Sequence, residues 1–241
     1  MKAGPSSGPA AGSGLATPSA VASAARISSD RREAVRQRSI ARYSRHAAQY
    51  DDSCARTWSI RERAVANLRL QGAQRVLDVG CGTGLSFALL RDGVGEHGVV
   101  IGIEQSPDMA ALARERIARE GWRNVQLIES SAVGLTLTEP VDAVLFNYTH
   151  DVCQCVESLT RVFANCREGA QVSIAGVKFM PWWCGPLNLY VYMKNAAYNG
   201  SPGGLRRPWR HVQRWVPDLT VQSAQYGMGY LAHGRKRTPV G

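Results

Sequence analysis

A run of alternating glycines behind an acidic residue is the part of the sequence best suited to bind a small ligand. Asp78 is followed by Gly80, Gly82 and Gly84 in the segment Asp-Val-Gly-Cys-Gly-Thr-Gly. Glycines at this spacing let the backbone turn tightly and approach a ligand without a Cβ clash. A short apolar run precedes the loop and a predicted helix follows it, so the loop should end a strand, where open α/β sheets bind their ligands. An ordinary tight turn is the alternative interpretation.

Glu104 supplies a second acidic group at the end of the next predicted strand, 20 residues after Gly84. A carboxylate there can accept hydrogen bonds from both ribose hydroxyls of a nucleoside. The loop does not fit a nicotinamide dinucleotide, because that fingerprint needs Gly or Ala where Leu85 stands. Asp78 beside the loop disfavours an anionic pyrophosphate and suits a ligand that carries an ammonium group.

The elements that must position these groups alternate along the chain between short apolar runs and helical segments. Strands are predicted at 75–79, 99–103, 125–128, 141–146 and 171–175, with helices at 31–50, 57–68, 107–120 and 151–164 and another after the glycine loop. This order predicts a parallel sheet with helices on both faces. Segments 219–225 and 228–233 predict a final antiparallel hairpin.

Several segments together resemble the class I S-adenosylmethionine (SAM)-dependent methyltransferases. They are the loop at 76–84, the second strand and its acid at 100–109, Val-Asp-Ala-Val-Leu-Phe-Asn at 141–147, and the turn into strand five at 159–170. Tyr50-Asp51 resembles the segment that leads into the core of the ubiquinone-type and phospholipid N-methyltransferase branches. The resemblance implies an α/β, Rossmann-like, doubly wound, mostly parallel seven-stranded sheet with a C-terminal antiparallel hairpin. It also implies SAM as the cofactor and S-adenosylhomocysteine as its product.

The resemblance also implies cofactor contacts at particular positions. Asp78 would hold the amino-acid end of the cofactor, Glu104 would bind the ribose, and Gln105 would lie along the adenosine. Ser131, where the family usually has Asp, would border the adenine together with Ala132. The expected cofactor contacts are Tyr50, Asp78, Gly80, Cys81, Gly82, Thr83, Gly84, Glu104, Gln105, Ser131, Ala132 and Asn147.

Candidate catalytic residues follow the fourth predicted strand, in a loop that faces the methyl group in the family that this chain resembles. His150 has a side chain suited to a general base, Asp151 could orient it or pair with a cationic acceptor, and Tyr148 lies beside them. A base is needed only if the acceptor arrives protonated. The alternative is that His150 and Asp151 simply begin the next helix. The segment Phe-Asn-Tyr-Thr lacks the two prolines of DNA amino-methyltransferases, which argues against DNA as the acceptor.

Residues 177–217 form an insert that often shapes the acceptor pocket in the family that this chain resembles. Its tryptophan and tyrosine residues are Trp182, Trp183, Tyr190, Tyr192, Tyr198, Trp209 and Trp215. Clustered aromatics could cage a cation or stack on an aromatic acceptor, or they could pack an ordinary helix pair on the sheet. Arg206, Arg207 and Arg210 could bind a carboxylate or phosphate, or could be solvated. The spacing of Cys153, Cys155 and Cys166 beside His150 fits no zinc pattern, so no metal is expected.

Composition limits the partners that these features could serve. The 241 residues carry a formal net charge of +10, of which +6 lies in 1–50 and +6 in 204–241, leaving −2 for 51–203. Basic ends could make a weak contact with an anionic membrane surface, nucleic acid or an acidic partner, or only be solvated. The apolar runs are too short to span a bilayer, and six cysteines without a CxxC pair do not indicate a disulfide scaffold. We therefore expect a cytoplasmic protein.

The sequence predicts one folded domain after a disordered start. Residues 1–29, almost all Ala, Gly, Ser and Pro, should be disordered. The domain at 30–241 should comprise helices over the site (30–70), a cofactor-binding core (71–176), an acceptor-pocket insert (177–217), and a final hairpin with a basic tail (218–241). The expected function is methyl transfer to N, O or S of a small-molecule acceptor in specialised metabolism. A lipid or quinone methyltransferase at a membrane surface, and a non-catalytic SAM-binding subunit, are the alternatives; the near-neutral body makes nucleic acid an unlikely acceptor.

Overall fold

The computed structural model describes residues 57–181, 183–195 and 202–239. The helices are α1 (Trp58–Ala66), α2 (Phe87–Val94), α3 (Pro107–Arg119), α4 (His150–Gln154), α5 (Val156–Ala164) and α6 (Gly185–Asn195). The strands are β1 (Arg75–Val79), β2 (Val99–Glu104), β3 (Val125–Glu129), β4 (Val141–Asn147), β5 (Cys166–Val177), β6 (Thr220–Ala224) and β7 (Gly229–Arg235). The segment expected to be disordered, 1–29, and the helix expected at 31–50 lie outside the described residues.

All seven strands form one sheet in the order β3-β2-β1-β4-β5-β7-β6. The first five pair in parallel, and β7 pairs antiparallel with both β5 and β6. This is the Rossmann-like sheet with a C-terminal antiparallel hairpin that the sequence predicts. The direction of winding reverses between β1 and β4, and ligands of doubly wound sheets bind beside such a reversal.

The two faces of the sheet bury separate apolar clusters, because alternate residues of each strand point to opposite faces. Leu77 and Val79 face a cluster that contains α5, whereas Val76 faces one that contains α1 and α2. The helices cover the sheet with Leu159 and Phe163 on the first face and with residues such as Leu90 on the second. Burying both faces stabilises the inner strands and makes their carboxyl ends a rigid edge.

Two element boundaries differ from the sequence expectation. The helix expected at 151–164 is broken at Cys155, whose extended backbone (φ −101°, ψ 107°) separates α4 from α5. Cysteine and β-branched valine around the break have low helix propensity. The strand expected at 171–175 begins earlier, at Cys166, which pairs with Val141. No proline stands in the Glu168-Gly169-Ala170 turn, so Gly169 takes a φ of +76° and the strand continues through it.

The described part of the insert contains a single α-helix, α6, instead of a packed helix pair. Trp209 and Trp215, which could have lined an acceptor pocket, instead join the core beside α5 and β7. Trp215 stacks on Phe163 with 5.2 Å between ring centroids, and Trp209 lies 4.8 Å from Tyr230. These two aromatics therefore anchor the chain to the sheet. Trp183 is exposed, while Trp182 and Tyr198 lie outside the described residues.

Candidate functional site

The ends of β1 and β4 bring the glycine loop and Asn147 together at the reversal of the sheet. A pocket opens between them, and α1 and the start of α2 close its other side. Its lining residues are Arg61, Asp78, Gly80, Cys81, Gly82, Thr83, Leu85, Ser86 and Asn147. The pocket therefore contains most of the glycine loop and two polar strand-end residues that the sequence singled out.

The glycine loop needs glycine for two different reasons. Gly80, Gly82 and Gly84 all have positive φ, at +63°, +58° and +77°. A Cβ at Gly80 would also come within 2.5 Å of Cγ2 of Thr149, so packing excludes a side chain there. A Cβ at Gly82 would meet only Cε of Met109, at 3.9 Å, among the described residues. The space before Gly82 is open, which is what close approach of a ligand to the backbone requires.

Glu104 ties the glycine loop to the end of β2. Its Oε2 accepts a hydrogen bond from the N–H of Gly82 at 2.9 Å, and its Oε1 accepts one from the N–H of Ser106 at 2.8 Å. Burial raises the pKa of the Glu104 carboxyl, while the N–H groups of Ser106 and Gly82 lower it. Each carboxylate oxygen retains a further lone pair, so Glu104 can accept from a ligand while holding the loop.

Asp78 is a buried carboxyl beside a buried arginine. Burial raises its pKa to about 7, although the Arg61 guanidinium and a hydrogen bond with the Ser86 side chain both lower it. Arg61 donates from Nη1 to Oγ of Ser86 at 2.7 Å. Oδ2 of Asp78 has no hydrogen-bond partner within the described ranges. A buried carboxylate oxygen without a partner is costly, and a cationic ligand group would satisfy it.

Asn147 presents a second unsatisfied group to the same pocket. Its side chain is buried, and neither Oδ1 nor Nδ2 finds a hydrogen-bond partner among the residues that the structure describes. An amide can donate and accept at once, so it can bind either a ligand ammonium or a ligand carboxyl. Asn147 and Asp78 lie near each other because β4 and β1 pair in parallel, with Phe146 opposite Val79.

The structure separates the two residues that the sequence proposed as a base and its partner. Nε2 of His150 accepts a hydrogen bond from the N–H of Val177 at 3.2 Å, and burial lowers the pKa of the ring to about 4. The exposed carboxylate of Asp151 instead accepts a long contact, 3.5 Å, from Nε2 of Gln105. Within the described part of the chain His150 and Asp151 do not hydrogen-bond to each other, because adjacent helical residues point in different directions. At neutral pH the His150 ring is therefore uncharged, and its acceptor nitrogen Nε2 is already hydrogen-bonded to Val177.

The remaining candidates are spread around this edge. Tyr148 begins the turn after β4 with a φ of +61°, and its hydroxyl lies 3.5 Å from Oε1 of Gln225. Ser131 and Ala132 follow β3 at the same sheet edge, where Ser130 donates its N–H to the carbonyl of Glu104 at 2.9 Å. Tyr50 lies outside the described residues.

Two of the loop residues that line the pocket also make contacts with neighbouring elements. The thiol of Cys81 points at β2, since a Cβ on Gly102 would lie 2.9 Å from its Sγ. Burial raises the pKa of this thiol well above its usual value, and the acids Asp78 and Glu104 raise it further. Thr83 is buried, and its carbonyl accepts a hydrogen bond from Nε of Arg116 at 2.9 Å. The Cys81 side chain therefore packs the glycine loop against β2.

Sequence reasoning missed Arg61, Ser86 and Thr149. Arg61 sits on the face of α1 that also buries Ala64 and Val65. A charged residue on an apolar helical face is rarely buried without a partner, and that signal could have identified it. The described residues bring together no group of three or more His, Cys, Asp or Glu side chains able to hold a metal ion. None of their helices is long and apolar enough to cross a membrane.

Residues 70–207, more than half of the chain, match the family described as methyltransferase domain. The chain is 36% identical over 90 residues to a demethylmenaquinone methyltransferase of Shouchella clausii, over 37% of each protein. It is 30% identical over 78 residues to a protein-L-isoaspartate O-methyltransferase of Methanococcoides burtonii, over 32% of this chain and 38% of that protein. The chain thus aligns with less than two fifths of the length of these relatives.

A solved structure is similar in fold. The geranyl diphosphate C-methyltransferase of Streptomyces coelicolor, crystallised with Mg²⁺, geranyl-S-thiolodiphosphate and S-adenosyl-L-homocysteine, superposes with a TM-score of 0.60 at 16% identity. The superposition covers 75% of this chain and 76% of that one.

The chain belongs to the methyltransferase-domain family, and its fold is that of the class I SAM-dependent enzymes. The family assignment confirms the resemblance seen in the sequence, which implies SAM as the cofactor. The pocket fits a ligand of this kind, because its orphaned Asp78 oxygen suits a cation and its open space before Gly82 admits a close approach.

Proposed function

We propose that this protein transfers the methyl group of SAM to N, O or S of a small-molecule acceptor. The observation that carries the proposal is the pair of unsatisfied buried side chains, Asp78 and Asn147, at the paired ends of β1 and β4. Both line the pocket that the glycine loop forms. SAM supplies a sulfonium methyl group whose carbon–sulfur bond breaks as the bond to the acceptor forms, leaving S-adenosylhomocysteine.

Three residues would hold the cofactor at this pocket. Asp78 would bind its ammonium group, and Arg61, the cation that faces the same pocket, would bind its carboxylate. Glu104 would accept hydrogen bonds from the ribose hydroxyls through the lone pairs that Gly82 and Ser106 leave free. In this arrangement the ammonium group of the cofactor faces the Asp78 carboxylate, and its carboxylate faces the Arg61 guanidinium.

The acceptor side would be formed by the turn after β4. Asn147 is the unsatisfied polar group of that turn inside the pocket, and it would orient the acceptor. His150 lies about one helical turn after Asn147 as a buried neutral ring. Its Nε2 already accepts a hydrogen bond from the N–H of Val177, so the ring would serve to position the acceptor or neighbouring side chains. Positioning a nucleophile and excluding water are the main tasks that methyl transfer asks of a protein.

Calorimetric titration with S-adenosylhomocysteine tests the cofactor pocket. Arg61→Ala should weaken binding of S-adenosylhomocysteine but leave binding of methylthioadenosine, which lacks the amino-acid part, unchanged. Arg63→Ala is the matched control, since Arg63 is exposed on the same helix. Equal losses for both ligands, or no loss, would remove Arg61 from the carboxylate role.

Transfer of labelled methyl from SAM tests the acceptor. We expect label to appear on a member of a small-molecule panel that offers amine, phenol and thiol acceptors. Transfer to proteins of a lysate alone would reject the small-molecule class. Clear S-adenosylhomocysteine binding with no transfer to any acceptor would favour a non-catalytic SAM-binding subunit.

A further inference from the structure

An exposed apolar surface lies beyond the carboxyl end of β5, outside the cofactor pocket. Of the seven large hydrophobic side chains that are exposed in the described ranges, five belong to this region. They are Trp183, Leu187, Leu189, Met193 and Tyr226, with exposed fractions from 49% to 96%. Soluble domains rarely cluster such residues on the outside without a binding role. We call these five side chains the apolar rim.

Met180 lies close to both α6 and the turn that contains Tyr226, the two segments that carry most of the apolar rim. Asn188 of α6 accepts the N–H of Met180 at 2.8 Å and donates to its carbonyl at 3.0 Å. A Cβ on Gly227, next to Tyr226, would lie 3.6 Å from Cε of Met180. Phe179 donates its N–H to the carbonyl of Leu205 at 2.8 Å, which brings the start of the arginine-rich segment to the same place. The segments that carry the apolar rim and the arginines therefore meet at Phe179 and Met180.

The charge of this region is unusually one-sided. Residues 177–217 contain no Asp or Glu and carry six basic residues, which are Lys178, Lys194, Arg206, Arg207, Arg210 and Arg214. Arg206, Arg207 and Arg210 are exposed. The formal charge of this segment is thus +6, while 51–203 as a whole is −2. A cationic surface with exposed apolar side chains matches an anionic lipid interface, where phosphates bind arginine and acyl chains bury leucine and methionine.

We propose that the described part of the insert, residues 177–181, 183–195 and 202–217, together with Tyr226, docks the protein on an anionic lipid membrane surface. The apolar rim enters the interfacial region while Arg206, Arg207 and Arg210 bind lipid phosphates. The proposal goes beyond methyl transfer and does not depend on it. It also differs from docking through the basic chain ends alone. Arg206, Arg207 and Arg210 belong to the basic end at 204–241, but the apolar part of the surface lies in the insert.

The turn that carries Tyr226 supports this assignment. Gln225 and Tyr226 both take positive φ, +48° and +56°, a conformation that costs energy for residues with side chains. The strained turn leaves Tyr226 96% exposed, so its ring gains little packing in the free protein. Tyrosine is enriched at membrane interfaces, where its ring is buried and its hydroxyl stays hydrated. The neighbouring Gln225 contacts Tyr148 of the β4 turn, so the docking surface adjoins the site.

Lipid explains the surface better than nucleic acid or a second copy of the chain. Nucleic-acid surfaces combine arginine with aromatic rings that stack on bases, whereas Leu187, Leu189 and Met193 have no such use. A second copy would bring a second +6 segment against the first, and like charges disfavour that contact.

Flotation of the full-length protein with vesicles tests the proposal. We expect the protein to float with phosphatidylcholine vesicles that contain phosphatidylglycerol, and to bind pure phosphatidylcholine vesicles more weakly. Binding should weaken at high salt without disappearing, because the apolar contacts are insensitive to screening. Absence of flotation with the anionic vesicles at low salt would overturn the proposal.

Two sets of variants separate the apolar and cationic contributions. Leu189→Ser with Met193→Ser removes two side chains one helical turn apart and should weaken partitioning by roughly tenfold or more. Val156→Ser, an exposed apolar position on α5, is its matched control.

Arg206→Gln with Arg207→Gln and Arg210→Gln should weaken partitioning by about a hundredfold at low salt. The triple change of Arg114, Arg119 and Arg123 to Gln, all exposed, is the control for net charge.

Further readouts keep the test decisive. Brominated lipids should quench wild-type tryptophan fluorescence more than that of Trp183→Phe, which reports insertion even if a serine variant folds poorly. Normal vesicle binding by both insert variants would overturn the proposal in favour of the other basic residues of the chain ends, those in 1–50 and 235–237. Binding to a mixed-sequence RNA oligonucleotide with none to vesicles would overturn it in favour of nucleic acid, and a dimer in sedimentation abolished by the serine pair would overturn it in favour of self-association.

Discussion

The carboxylate of Glu104 accepts a hydrogen bond from the backbone N–H of Gly82 at 2.9 Å, which joins the end of β2 to the middle of the glycine loop. The same carboxylate accepts from Ser106 at the start of α3, so one side chain holds two chain segments. The loop is thus shaped by the protein's own contacts before a nucleoside arrives. Preorganisation of this kind lowers the entropic cost of binding.

Glu104→Ala should weaken both S-adenosylhomocysteine binding and the fold. The change leaves the N–H groups of Gly82 and Ser106 without a partner, which should cost about 1–3 kcal/mol of unfolding free energy for each group that stays buried. Calorimetry and thermal denaturation measure the two effects. Glu129→Ala is the control, because Glu129 on β3 pairs in register with Glu104 but is exposed and forms an ion pair with Arg114. Unchanged S-adenosylhomocysteine affinity in Glu104→Ala would contradict the ribose role.

Asp78 should couple cofactor binding to a proton. Burial raises its pKa to about 7 in the free protein, and a bound ammonium group would favour the ionised carboxylate. The affinity for S-adenosylhomocysteine should therefore rise with pH through about 7, with a proton released on binding. Calorimetry in buffers of different ionisation enthalpy detects that proton. Asp78→Asn should abolish the release, whereas Asp108→Asn, at an exposed position on α3, should not.

Asp78 and His150 should act on stability in opposite directions as the pH changes. The raised pKa of Asp78 means that the folded state binds its proton more tightly, so this group makes stability fall as pH rises from about 4 to about 7. The pKa of His150, lowered to about 4 by burial, makes stability fall as pH drops from about 6.5 to about 4. Asp78→Asn should expose the histidine effect, and His150→Gln the aspartate effect. Denaturant midpoints across this range measure both, and parallel profiles for the two variants would contradict this account.

His150 should carry its proton on Nδ1. The N–H of Val177 occupies Nε2, and Nδ1 is buried without a partner among the described residues. Nitrogen NMR of histidine-labelled protein reads the tautomer directly, and an Nε2–H ring would contradict the assignment.

His150→Gln should lower turnover while leaving S-adenosylhomocysteine affinity intact. Full activity would remove His150 from the acceptor side.

Much of the fold could be predicted because its pattern is local. Each inner strand is a short apolar run, and the helix beginning at Pro107 carries its own start signal, so their boundaries agree with the structure within one or two residues. The break at Cys155 and the early start of β5 at Cys166 could not be predicted in this way. They depend on pairing with β4 and on packing across the sheet, which local propensity does not encode.

The candidate site also combines residues that the sequence predicts with residues that it does not. Glycine spacing and strand ends indicate Asp78, Gly82 and Glu104, because backbone conformation and chain order place them. Arg61 enters the pocket only through the packing of α1, and the orientation of His150 depends on Val177 of a distant strand. Contacts between residues far apart in sequence decide what these groups can do, and spacing along the chain says little about them.

Gly82→Ala should impair S-adenosylhomocysteine binding far more than it destabilises the fold. The added methyl group meets only Met109, at 3.9 Å, within the described part of the chain, so the main cost in the free protein is a left-handed backbone of about 1 kcal/mol. The same methyl group occupies the space that a ligand needs for close approach. Gly121→Ala is the matched control, because Gly121 has a φ of +64°, and a Cβ there would meet no described atom within 4 Å. Both variants should show similar losses in thermal denaturation, and only Gly82→Ala should lose affinity in calorimetry. Equal S-adenosylhomocysteine affinity in the two variants would show that the ligand does not approach the loop at Gly82.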